Sequence, residues 1–133
     1  MNKILVVAAV SEIATGVALL ILPSIVGRLL LGVELTGIAI PIARVAGIAL
    51  LALGLACWPR RQRTESDSPA FRGMLIYNVL IALYLAYLGI DGQWVGSLLW
   101  PVVAIHAGLT FFLARAWRRA DGEAKKIVGQ LSV

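Results

Sequence analysis

Residues 4–22 read ILVVAAVSEIATGVALLIL, and eleven of them are Ile, Leu or Val while only Glu12 is charged. At roughly 1.5 Å of rise per residue, a helix of this length reaches nearly the ~30 Å of a bilayer's hydrocarbon core. Each Ile, Leu or Val contributes about −0.3 to −0.6 kcal/mol to insertion, against about +3 kcal/mol for one central carboxylate. The segment therefore inserts despite Glu12. It is longer than the ~7–15 residues of a signal-peptide apolar region and has no A-x-A cleavage site, so it reads as a retained span.

The rest of the chain repeats this pattern. Of 133 residues, 60% are hydrophobic and 14% charged, and mean hydropathy is +0.90. A soluble domain carries about a quarter charged residues. The expected fold class is all-α, an integral membrane four-helix bundle formed as a single membrane domain over residues 1–133. Its spans are expected at about 4–22, 38–58, 73–90 and 95–114. Pro23-Ser24 ends the first span. Pro41 falls in the first turns of the second, where a missing N–H is tolerated. Asp91-Gly92 is a turn signal closing the third.

Between the first two spans, Ile25, Val26, Leu29, Leu30 and Val33 recur at helical spacing among Gly27, Arg28, Gly32 and Glu34, which predicts an interfacial amphipathic segment over 24–35. Residues 59–72 form a polar, arginine-rich loop. Residues 115–133 form a charged tail, expected as a short surface helix or disordered. Trp94, Trp100 and Trp117 fall at span ends, as in aromatic belts.

The formal charge is +5 and the pI about 10.0. Lys3, Arg60, Arg61, Arg63, Arg72, Arg115, Arg118, Arg119, Lys125 and Lys126 fall on one side of the expected spans, and only Arg28 on the other. Ten against one places both termini and the 59–72 loop in the cytoplasm of a bacterial inner membrane and argues against dual topology. No basic stripe interleaved with exposed aromatics lies outside the spans, so no nucleic-acid partner is expected. Cys57, the only cysteine, cannot close an intramolecular disulfide and reads as a small apolar filler.

Ionisable groups at membrane depth mark either a function or a specific packing contact. Counted from the span ends, Glu12 and His106 lie about 12 Å deep and Tyr84 about 16 Å, while Arg44 lies about 9 Å from the other side. Glu12, Tyr84 and His106 are thus expected to share a central layer. Glu12 is either a helix-joining acid or a proton or cation site. Arg44 either snorkels to the surface or meets an anion or lipid headgroup. His106 makes an interhelical hydrogen bond or relays protons. Tyr77, Tyr84 and Tyr87 form a stripe on the third helix that either packs the bundle or walls a ligand cavity. Asn78, beside the stripe, is expected to bond to a neighbouring helix. Glu12, Arg44, Tyr84, His106, Asn78 and Tyr77 are therefore the candidates for ligand binding or proton coupling.

Small residues let membrane helices approach closely. Ala43, Gly47 and Gly54 share one face of the second span, and Ala8, Glu12 and Gly16 one face of the first. Gly16, Gly47 and Gly54 are the expected packing positions. The sequence holds no second histidine for bis-His haem and no paired acids, and Cys57 is remote, so no metal or cofactor is expected. No Ser-His-Asp set, phosphate loop or G-x-S-x-G is present, and the chain is expected not to be an enzyme.

Two resemblances add to this reading. The stretch Arg44-Val-Ala-Gly47-Ile-Ala-Leu-Leu-Ala-Leu-Gly54-Leu55, following Leu22-Pro23, resembles the small bacterial DoxX-like four-span proteins over about the first half of the chain. That resemblance implies a four-helix bundle in which Arg44, Gly47 and Gly54 matter structurally. Ser11-Glu12-Ile13-Ala14-Thr15 is similar to the first-helix motif of small multidrug-resistance transporters, which implies proton-coupled export of cationic substrates with Glu12 as the coupling site. Arg44, the charge bias and the long basic loop depart from that family's pattern. The leading expectation is a non-enzymatic small inner-membrane protein, an accessory subunit or a lipid- or small-ligand-binding module with a buried polar cluster. The alternative is the proton-coupled transporter. Membrane lipids are the expected partners, with a homo-oligomer or larger membrane complex as a further one.

Overall fold

The computed structural model describes residues 3–58 and 69–131, with positions 120, 121 and 123–131 as backbone alone. The described residues form five helices and no strand: α1 (Lys3–Ile21), α2 (Pro23–Leu31), α3 (Ala39–Ala56), α4 (Pro69–Asp91) and α5 (Leu99–Leu131). Four of them, α1, α3, α4 and the Leu99–Arg119 part of α5, are long and apolar enough to cross a membrane. The polar loop 59–72 falls largely outside the described residues.

Helix starts follow proline. Pro23 opens α2 and Pro69 opens α4, while Pro41 and Pro101 sit in the first turns of α3 and α5. First-turn N–H groups have no intrahelical acceptor, so proline costs nothing there and its fixed φ favours the helix. Glycine marks two of the ends. Gly32 closes α2 at φ 76° with its N–H on the Arg28 carbonyl, and Gly92 follows α4 at φ 77° with its N–H on Leu88. Left-handed backbone of this kind suits glycine.

The helices pair antiparallel. α1 packs along α3, and α4 along α5, far more extensively than the two pairs pack on each other. In the α1–α3 seam, a Cβ at Gly16 would stand 2.7 Å from the Gly47 carbonyl oxygen, and one at Gly54 2.8 Å from that of Ala9. The backbones meet because Gly16 faces Gly47, and Gly54 lies against Ala9 and Ile13. Gly89 allows a similar approach of α4 to Leu99 and Trp100.

The pairs join at both ends. At the end holding Lys3, a core of Leu5, Ala8, Ala9, Phe71, Met74, Leu109 and Leu113 ties α1 to α4 and α5. Cys57 belongs to it, 2% exposed, its thiol donating to the Ala70 carbonyl at 3.3 Å. At the opposite end the joint is made by main chain. Leu98 donates to the Leu29 carbonyl at 2.8 Å and Gly96 to that of Leu30 at 3.0 Å. Ser24 Oγ donates to the Leu35 carbonyl at 2.8 Å, folding 32–38 back onto α2.

α3 packs on α1 and α2 and makes little contact with α4 or α5. Large apolar side chains line the outside of every long helix, among them Ile48 (58% exposed), Leu83 (64%) and Phe111 (61%). A contiguous apolar exterior of this kind is an interaction surface, and on four bilayer-length helices the matching medium is lipid.

Candidate functional site

The buried polar groups lie where α1 meets α4 and α5. Glu12 is 1% exposed, Asn78 0% and His106 9%. Glu12 sits on the small-residue face of α1, between Ala8 and Gly16. Asn78 follows Phe71 and Met74 on the buried face of α4. His106 lies on the α5 face that also buries Leu99, Leu109 and Leu113.

Hydrogen bonding orients the cluster. Asn78 Nδ2 donates to the Met74 carbonyl one turn back at 2.9 Å. Its Oδ1 therefore faces His106 Nδ1, also at 2.9 Å. An amide oxygen only accepts, so Nδ1 of the imidazole carries the hydrogen and Nε2 is left as the other ring position. The Tyr77 ring meets the His106 ring edge-on, centroids 6.1 Å apart at 77°. Tyr77 also lies within interaction range of Glu12. The result is a cluster of Glu12, Tyr77, His106 and Asn78 drawn from three helices. Two atoms of this region, Glu12 Oε1 and Thr110 Oγ1, are buried without a hydrogen-bond partner among the described residues. Thr15, next to the Glu12 turn, bonds back to the Ser11 carbonyl at 2.9 Å and takes no part.

Of the six expected site residues, four come together: Glu12, Tyr77, Asn78 and His106. Arg44 and Tyr84 do not, since both face outward. Arg44 follows Ala43, which with Gly47 and Gly54 faces α1, so its side chain is turned about 100° off the seam. Tyr84 precedes the buried Leu85 in the same way. Tyr84 also leaves the expected central layer because α4 starts earlier than residue 73. The helix begins at Pro69, four residues before 73, and one extra turn brings Tyr77 and Asn78 to the depth of Glu12. Gly16, Gly47 and Gly54 all lie in the α1–α3 seam.

Thr110 was not among the expected residues. Its spacing of four from His106 is the signal that would have placed it on the same face. Among the described residues no group of His, Cys, Asp and Glu is arranged to hold a metal ion. Compared with known proteins, the chain matches no family model, no curated sequence and no solved structure.

Proposed function

We infer that the chain is a non-catalytic multi-pass protein of the bacterial inner membrane, with both termini cytoplasmic, that binds lipid or a small apolar ligand or serves as an accessory subunit. The ten-to-one distribution of Lys and Arg supports the orientation. In this reading the polar cluster is a clamp holding the α1–α3 pair against α4–α5. The observation that carries it is the burial of polar groups from three helices together: Glu12, Asn78 and His106 are each at most 9% exposed, and Asn78 bonds His106 across α4 and α5. Arg44 on the outward face of α3 suits snorkelling to the interface. The resemblance of residues 44–55 to DoxX-like proteins is compatible with a bundle of this kind.

A second reading is favoured by Glu12 Oε1, which has no hydrogen-bond partner among the described residues. A carboxyl oxygen with no donor in a membrane interior is a place for a proton or cation, as in proton-coupled export of cationic substrates. Proteoliposomes with and without a pH gradient separate the two. As a clamp, Tyr77→Phe and Glu12→Gln each lose about 1 kcal/mol and lower the melting midpoint in detergent by a few degrees, and the wild type carries no gradient-driven flux. Flux that disappears in a well-folded Glu12→Gln protein would establish transport instead.

A further inference from the structure

Outside the polar cluster, α1 and α5 diverge enough to leave an apolar groove of about 350 Å³ open to the side, lined by Val7, Ala104, Ile105, Gly108 and Phe112, with Lys3 at its mouth. Ala104 to Phe112 spans about 12 Å along the helix, most of the ~15 Å depth of a single leaflet. Its floor contains Gly108, where an added Cβ would meet no atom within 4 Å. This distinguishes it from Gly16, Gly47, Gly54 and Gly89, each of which admits a neighbouring helix. Glycine within a helix costs up to ~1 kcal/mol relative to alanine, and among the described residues no packing contact requires the small residue at 108; Gly73 is equally open but does not line this groove. The space it leaves is open to an occupant from outside.

The groove mouth carries charge. Lys3 lines it, and Arg115, exposed, stands one turn beyond Phe112 on α5. A slot of leaflet depth that is apolar along its length and cationic at one end has the shape and polarity of a phospholipid with an anionic head. We propose that this groove is a binding site for an anionic phospholipid, one acyl chain lying over Gly108 and the phosphate held by Lys3 and Arg115. The proposal rests on the lipid-binding reading given above and names its site and headgroup class.

The test is native mass spectrometry of the full chain released from detergent after titration with phosphatidylglycerol or phosphatidylcholine. The wild type is expected to retain phosphatidylglycerol in preference. Gly108→Leu places its Cβ in open space and its branched end in the slot, and is expected to lose the retained lipid. Gly73→Leu, which adds the same bulk at another open helix position, retains it. Lys3→Gln and Arg115→Gln each weaken phosphatidylglycerol retention about fivefold, the factor one basic residue contributes at an anionic surface. If Gly108→Leu holds phosphatidylglycerol as well as the wild type does, the groove is not the site, though lipid binding stands. If the wild type retains neither lipid, lipid binding itself fails. Equal retention of the two lipids by the wild type overturns the anionic headgroup.

Discussion

Both ends of the Asn78 amide are engaged. Its nitrogen is held by the Met74 carbonyl and its oxygen faces His106. Replacing Asn78 with Leu leaves the imidazole N–H of His106 buried without an acceptor, which costs about 1–3 kcal/mol, whereas removing both partners together costs less than the sum. Polar pairs between membrane helices average about 0.6 kcal/mol and reach about 1.7. A double-mutant cycle over Asn78→Leu and His106→Phe, read by chemical unfolding in detergent, is therefore expected to give a coupling near 1 kcal/mol. A coupling indistinguishable from zero would mean the bond holds nothing together. At this scale the sequence was partly legible. A buried Asn in an apolar span must find a partner on another helix, and His106 was the one histidine that could share its depth. That the two meet through Nδ1, and that Tyr77 rather than Tyr84 completes the layer, depends on where α4 starts, and Pro69 lies beside a polar loop that hydropathy cannot divide.

Among the elements, the α1–α3 seam rests on absence of side chain. Gly47→Ala would place a Cβ 2.7 Å from the Gly16 carbonyl, forcing the helices apart at a cost of about 1–3 kcal/mol. Gly73→Ala meets nothing and is expected to stabilise α4 by up to about 1 kcal/mol through helix propensity. Opposite shifts in melting midpoint for these chemically identical substitutions are the expected result, and a common sign would refute the seam. The four spans were readable because bilayer thickness imposes a length that few other structures need. The extent of α5 was not. Its helix runs to Leu131 through residues 115–126, where the apolar signal ends but Ala, Arg, Glu and Lys keep helix propensity high. Hydropathy reports the medium around a helix, and propensity carries α5 beyond its apolar stretch.

For the molecule as a whole, the sidedness proposed from its Lys and Arg is open to direct test. In a Cys57→Ala background, a membrane-impermeant maleimide applied to intact cells is expected to label Thr36→Cys and to spare Ser66→Cys, and the reverse pattern would invert the topology. The two helix pairs share an apolar core at one end and the paired amides of Leu98 and Gly96 on Leu29 and Leu30 at the other. Because that second junction is written in peptide groups, it carries no memory of which residues flank it. Other side chains at 29, 30 and 98 would leave those peptide bonds intact. Gly96, where an added Cβ would run into the Leu29 carbonyl, is the position at which such tolerance would stop.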